Sequence, residues 1–364
     1  MSVSFRDAAR AYREDKLNEL AQSERGYRFL LLRALSRGAP VQRLAADFGI
    51  DLSGVANRDR LEHLYASDIT EEQLVATLRS VYAEERAARR LLEPDLTAEL
   101  YKMQAFDWGG LYQNSLEKTI VDNYVKKIRS FDVLNSKIDN ELTTSLRGYV
   151  QCSWYNHWTS IMIEDLFKDH PAVLPTVGLI KKVDFFIGRI PYDLKVTSLP
   201  EGFVAEQRQT LGLRSEMSEL RRVARDQHIS YDRNLASARL LEHLWAIVND
   251  HPSTAARDAV LELRRVRMDI LSRSESDPTA LIGWLYENQG VRRFDASNRL
   301  FLVLVNSGDF FASWKLKRAR DLLAVAINDY LDDPHRETSR QVTFTWEGQA
   351  YTVKSDAIIL RHEA

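Results

Sequence analysis

Three side chains within one short stretch are spaced to do chemistry together: Asp184, Asp193 and Lys195. They lie in Lys182-Val183-Asp184-Phe185-Phe186-Ile187-Gly188-Arg189-Ile190-Pro191-Tyr192-Asp193-Leu194-Lys195-Val196-Thr197. Two runs of apolar, β-branched and aromatic residues flank Gly188-Arg189, which predicts a β-hairpin with a two-residue turn. Gly188 at the first turn position suits type II′, where φ must be positive. Counting outward from that turn pairs Ile187 with Ile190 in a hydrogen-bonded position and Asp184 with Asp193 in a non-hydrogen-bonded one. The Cβ atoms of the two aspartates then stand roughly 4.5–5.5 Å apart. Pro191 also falls in a non-hydrogen-bonded position, so its missing N–H costs the pairing nothing.

Like charges facing each other destabilise a sheet, and one takes up a proton unless a cation sits between them. Asp193, Lys195 and Thr197 alternate with Leu194 and Val196, so the second strand turns its polar groups to one face. Two carboxylates and an ammonium on one face make a site for a hard cation. Mg²⁺ suits the ligand type, since it takes a few carboxylate oxygens together with waters and phosphate oxygens. An ordinary solvated hairpin would account for Asp193 and Lys195. It would not account for Asp184, which sits in the apolar run from Val183 to Ile187 opposite another carboxylate.

The elements that must position these residues lie on either side. Residues 152–168 predict a helix that carries Trp154, Asn156, Trp158, Glu164 and Asp165 and leads through Pro175 and Gly178 into the hairpin. At 100° per residue Glu164 lies near His157, Ser160 and Lys168, whereas Asp165 lies near Trp154 and Trp158. Both acids flank the apolar arc of Met162, Ile163, Leu166 and Phe167, so spacing leaves open which one faces the hairpin. His157 and Cys152 have no partner pattern and read as structural. Lys181 and Lys182 read equally as phosphate contacts and as strand-edge charges. Downstream, residues 300–306 (Leu-Phe-Leu-Val-Leu-Val-Asn) predict a buried central strand. A helix over 313–331 follows, and then a second hairpin, 341–346 and 349–353, around Glu347-Gly348.

Other segments are helical by periodicity: 8–21, 26–36, 41–48, 70–92 and 96–103, with Thr70 and Gln73 forming a capping box. Further helices are expected over 116–131, 138–148, 214–227, 234–249, 253–274 and 278–288. Leu44-Ala45-Ala46-Asp47-Phe48-Gly49-Ile50, followed by Val55, also fits a helix-turn-helix, although a plain helical bundle explains it more simply. Arg221, Arg222, Arg225, Arg264, Arg265 and Arg267 crowd two helices and read mainly as solvated faces. The whole predicts an α/β fold, a mixed sheet flanked by helices, with an N-terminal all-helical domain. The expected boundaries are 1–110 for the helical domain and 111–364 for the second, joined near Asp107-Trp108-Gly109-Gly110. A helical insertion is expected at about 203–290.

Composition narrows the class. With 364 residues the chain can bury a sizeable core and divide into two domains. A net charge of −2 gives no overall basic signal, so any nucleic-acid surface must be local. Cys152 is the single cysteine, which excludes an intrachain disulfide and fits a reducing cytoplasm. The N-terminus lacks a signal-peptide apolar core, and no apolar run is long enough for a bilayer. The expectation is a soluble cytoplasmic protein.

Asp184, eight intervening residues, then Asp193-Leu194-Lys195, after an acid-bearing helix, resembles the PD-(D/E)xK nuclease superfamily, to which most type II restriction endonucleases belong. Val183 stands where the family name has proline, and the triplet begins with aspartate rather than glutamate. The resemblance covers about half the chain and implies a restriction-endonuclease-like core with Glu164 as the helix acid. It further implies that Asp184, Asp193, the Leu194 carbonyl and Glu164 hold Mg²⁺. Lys195 would orient or activate the attacking water. The implied activity is sequence-specific cleavage of double-stranded DNA by a homodimer. A structure-specific or phage-defence nuclease, and a non-catalytic helix-turn-helix regulator, are the alternatives.

Overall fold

A computed structural model describes residues 3–108, 116–178, 180–235, 237–291, 294–334 and 340–363. The chain opens with six helices: α1 (Phe5–Arg13), α2 (Leu17–Gln22), α3 (Glu24–Ala34), α4 (Gly38–Asp47), α5 (Arg60–Ala66) and α6 (Glu71–Tyr101). Hydroxyl side chains cap several of them. Ser4 accepts the Asp7 N–H, Ser23 accepts the Gly26 N–H, and Thr70 with Gln73 forms the expected capping box. The single helix expected over 8–21 is divided, because Asp15 adopts the left-handed conformation (φ 60°) and ends α1. The expected break near Pro94 does not occur. α6 runs through it, held on one side by Arg86 and Arg89 and on the other by the buried Leu100.

The helix-turn-helix expectation fails on geometry. That motif joins its helices through a turn of three or four residues. Here α4 ends at Asp47 and α5 does not begin until Arg60, and Leu44 and Ala45 are spent on the core.

Next come α7 (Leu116–Ile120), a π-helical stretch Val121–Val125, α8 (Phe131–Lys137), a second π-helical stretch Ile138–Leu142, and α9 (Thr143–Lys168). The expected break between 148 and 152 is absent, since α9 continues through Gly148. Of the expected joint, Gly109 and Gly110 lie outside the described residues. Three strands follow: β1 (Val173–Pro175), β2 (Phe185–Ile187) and β3 (Ile190–Ser198). Then come α10 (Glu201–Thr210), α11 (Glu216–Asp226), α12 (Ser237–Asn249), α13 (Thr254–Ser276), α14 (Thr279–Glu287) and β4 (Arg299–Asn306). The helix expected over 313–331 is instead a 3₁₀ helix, Phe310–Arg318, followed by α15 (Arg320–Asp332). β5 (Gln341–Trp346) and β6 (Gln349–His362) close the described chain, with β6 longer than expected because it pairs along the whole of β4.

The result is a mixed α/β fold around a six-stranded sheet of order β1-β2-β3-β4-β6-β5. β1, β2 and β3 are antiparallel, β3, β4 and β6 are parallel, and β5 returns antiparallel on β6. β4 is the buried central strand its apolar run demanded, and its side chains alternate between two cores. Leu300, Leu302 and Leu304 meet Ile163 and Phe167 of α9 and Leu323 and Ile327 of α15. Phe301, Val303 and Val305 meet Phe203 of α10, Ile270 of α13 and Ile282 of α14. A further core joins α11 and α12 to the first half of α13. The core of α1–α6 also takes in Leu174, Val177, Ile180, Val183 and Phe186, so these helices pack directly against the hairpin. Among the described residues no helix is long and apolar enough to cross a membrane.

Candidate active site

The hairpin turn has the chemistry its sequence required. Gly188 has φ 59°, and Arg189 is not in the left-handed region, as type II′ demands. The register is the one counted from the turn, with Ile187 opposite Ile190, Phe186 opposite Pro191 and Phe185 opposite Tyr192. The N-terminal helices brace this turn. Tyr27 Oη donates to the Gly188 carbonyl at 3.4 Å, and Arg189 bonds Glu71 at 2.8 Å.

Asp184 departs from the expected ladder pair. β2 begins only at Phe185, and Lys182, with φ 63°, turns the chain out of line just before it. The Asp184 N–H donates to the Tyr192 carbonyl at 2.8 Å, and Thr176 Oγ1 donates to the Asp184 carbonyl at 2.8 Å. Its carboxylate accepts the N–H of Leu194 at 2.8 Å. The two aspartates therefore flank the edge of β3 instead of facing each other across a ladder.

That edge is chemically distinct. The Asp193 N–H donates to the Asn298 carbonyl at 2.9 Å, toward β4. Backbone groups alternate along a strand, so the N–H and C=O of Leu194 both point the opposite way, past the end of β2. Asp184 takes the N–H, and the Leu194 carbonyl faces the same edge.

Asp193 is nearly buried, and its Oδ1 accepts from Lys195 Nζ at 2.6 Å on the same face of β3. Its Oδ2 lies 3.6 Å from Arg299 Nε, a buried nitrogen without a hydrogen-bond partner among the described residues. Arg299 stands in register with Asp193 across the parallel pair. It also reaches Asp295 at 3.1 Å and lies over the Tyr286 ring. Sequence reasoning passed over Arg299, although a cation opening an otherwise apolar strand was a signal. Lys168, one helical turn from Glu164 by sequence, pairs with it at 2.9 Å.

α9 separates its two neighbouring acids. Asp165 is buried in a cation cluster, bonded twice by Arg89 at 2.7 Å and by Tyr82 Oη at 3.2 Å, with Arg86 3.7 Å away. Glu164 pairs with Lys168 one turn along its own helix, and its charge acts on Asp184. Burial lifts the Asp184 carboxyl to about 6, the negative charges of Glu164 and then Asp193 add to the lift, and the Leu194 N–H and Lys168 oppose it. The structure thus places Asp184, Asp193 and Lys195 around the Leu194 edge, with Glu164 near enough for its charge to act on Asp184.

Among the described residues no group of three or more His, Cys, Asp or Glu is placed to hold a metal ion. The three acids are neighbours whose oxygens are held by the Leu194 N–H, Lys195 and Lys168. Mg²⁺ is ordinarily bound through one or two carboxylates with waters and phosphate completing its shell. Carboxylate and carbonyl oxygens, the donor type on this edge, are what that cation takes.

The other singled-out residues go elsewhere. Cys152 is buried, and burial pushes its thiol up to about 11. His157 is exposed against the Trp158 ring. Lys182 pairs with Asp15 at 2.7 Å, and the Lys181 N–H donates to Tyr12 Oη at 2.7 Å, so both anchor the N-terminal helices. Arg265 and Arg222 are surface residues paired within their own helices. Arg267 is a correction to the solvated reading: it is buried and bound by Glu201 at 2.6 Å and by Glu216. Comparison with family models, curated proteins and solved structures finds no match to this chain.

Proposed function

We propose that this chain is a Mg²⁺-dependent, sequence-specific endonuclease for double-stranded DNA, of the PD-(D/E)xK superfamily and of the type II restriction kind. The observation that carries the reading is the Leu194 edge, where Asp184 accepts the Leu194 N–H, Asp193 pairs with Lys195, and the charge of Glu164 acts on Asp184. The order of elements supports it too: an acid-bearing helix, an antiparallel hairpin, then a parallel strand and a helix, α9-β2-β3-β4-α15.

Asp184, Asp193, Glu164 and the Leu194 carbonyl would hold the ion. When bound, Mg²⁺ lowers the pKa of a coordinated water and offsets charge building on the phosphate. The chain's own residues do the rest. Lys195 is half-exposed, so its Nζ can leave Asp193 and donate to a water or to a phosphate oxygen. Arg299 remains beside Asp193, 3.6 Å from its Oδ2, and orients that carboxylate when Lys195 swings away. Asp184, held by the Leu194 N–H, gives up its proton near neutral pH. A homodimer would allow each subunit to cut one strand.

The test is purified protein and Mg²⁺ on a mixed plasmid substrate. Discrete fragments are expected. A smear would replace sequence specificity with structural specificity, and a shifted but intact plasmid would remove the nuclease reading. Asp193→Ala and Lys195→Ala should each abolish cleavage while retaining DNA binding, and Mg²⁺-dependent cleavage by either variant would overturn the site.

A further inference from the structure

A cleft of about 740 Å³ lies beyond the carboxyl ends of two parallel strands, β3 and β4. In open α/β sheets this is where ligands collect. Its walls are the end of β3 with Thr197 and Ser198, the loop carrying Phe106, and the 3₁₀ helix carrying Trp314, Lys315 and Lys317. No strand pairs with β3 on this side after Tyr192 among the described residues, so one wall is strand edge continuous with the Leu194 edge.

The charges in the cleft are unevenly matched. Asp107 is paired with Arg239, Glu201 with Arg267, and Asp309 caps the 3₁₀ helix through the Phe311 and Ala312 N–H groups. Glu242 is exposed at the rim. The two lysines differ from these. Lys317 Nζ donates to Asn156 Oδ1 at 2.8 Å and lies 5.9 Å from the Phe106 ring, and Lys315 lies 5.9 Å from the Trp314 ring. These partners are neutral, and among the described residues neither lysine is in an ion pair. A desolvated cation without a counter-ion is costly, and here burial lowers Lys317 to about 8. An entering anion would remove that cost. Phe106 and Trp314 stack on each other at 5.3 Å, presenting a flat apolar wall beside the two ammonium groups. Cations beside an aromatic platform suit a phosphate with its attached nucleoside better than an isolated ion.

We infer that this cleft is a second nucleic-acid subsite, in which Lys315 and Lys317 hold a backbone phosphate next to the Phe106–Trp314 platform. The inference rests on the nuclease reading and extends it. From Asp193 to Ser198 is five residues of strand, about 16 Å at 3.3 Å per residue. The subsite therefore grips the strand several nucleotides from the bond to be cut, at about 3.4 Å of duplex rise each.

The test measures binding without cleavage. Anisotropy of a fluorescent duplex, in Ca²⁺ without Mg²⁺ and across a salt series, is recorded for the wild type, Lys315→Gln, Lys317→Gln and Lys317→Arg. Both glutamine variants should bind about three- to tenfold more weakly, with the salt slope reduced by about one phosphate contact. Lys317→Arg should recover most of the affinity. Wild-type affinity and slope in both glutamine variants would overturn the subsite, as would a wild type that binds no DNA. Lys315→Gln, on the surface side of the cleft, keeps the test decisive if Lys317→Gln fails to fold. Should the wild type bind in this way yet cleave nothing, the subsite stands and the nuclease reading falls. Should it cleave while both variants bind normally, the reverse holds.

Discussion

Replacing Asp184 with asparagine should make the protein more stable at neutral pH while removing its chemistry. The Asp184 carboxyl is lifted from 3.8 to about 6 by burial and by the charges of Glu164 and Asp193. At 1.36 kcal/mol per pH unit, that lift corresponds to roughly 3 kcal/mol. The folded chain holds this proton more tightly than the unfolded chain does. The associated stability is fully present below pH 3.8 and is lost as the pH rises through 6. Asparagine carries no proton to lose, and its amide oxygen still accepts the Leu194 N–H. Denaturant unfolding of wild type and Asp184→Asn from pH 4 to 8 should therefore diverge, with the variant gaining up to about 3 kcal/mol relative to wild type. Adding Mg²⁺ at pH 8 should restore the wild type, by about 2.7 kcal/mol at one hundred times the dissociation constant, and leave the variant unmoved. Parallel stability profiles for the two proteins would refute the placing of Asp184 in the field of Glu164 and Asp193.

The two adjacent acids of α9 should separate cleanly. Glu164→Gln is expected to lose cleavage with stability changed by less than about 1 kcal/mol, as for a partly exposed ion pair. Asp165→Asn should cost about 3–5 kcal/mol, because it leaves Arg86 and Arg89 facing a neutral group, and the protein that remains folded should still cleave. Thermal unfolding and plasmid digestion on both variants check the pair, and cleavage by Glu164→Gln would reassign the helix acid. Gly188→Ala places a side chain at φ 59° and should cost about 1–2 kcal/mol in urea unfolding, with nothing nearby for the new methyl to strike. No loss there would mean that the turn has relaxed to another type.

Much of the fold was legible where one signal dominated. The run 300–306 has no polar interruption before Asn306, and only a strand covered on both faces can use six such side chains. The hairpin register followed from Gly188 because a two-residue turn leaves no freedom in the pairing. What was not legible depended on distant contacts. Nothing in a three-residue run such as Val173–Pro175 separates a strand from a loop, and β1 exists because Val173 to Pro175 meet Phe185 to Ile187. Pro94 reads as a helix end, yet ion pairs from α6 to Asp165 and Asp169 carry the helix across it. The choice between Glu164 and Asp165 was undecidable from an apolar arc that both acids flank. Arg86 and Arg89, some eighty residues earlier, claim Asp165 and leave Glu164 as the acid of the two whose charge acts on Asp184.

The mismatch in length between β2 and β3 explains why a site forms here at all. α9 lies over the sheet face that carries Leu300, Leu302 and Leu304, so Glu164 approaches from that side. Asp193 and Lys195 share the opposite face with Arg299 and Phe301, their partners in register on β4. An intact sheet would keep the two sets of charges apart by the thickness of its backbone. β2 begins only at Phe185, so β3 has an uncovered edge from Leu194 onward, and there the two faces meet. Asp184, turned out of line by Lys182, reaches round that edge and is felt by Glu164 on one side and Asp193 on the other. Had Val183 and Asp184 continued the ladder, Asp184 would have faced Asp193 alone and the Leu194 N–H and C=O would have been used in pairing. The late start of β2 is thus what leaves Asp184 and the Leu194 carbonyl unpaired in the ladder beside Asp193 and Lys195.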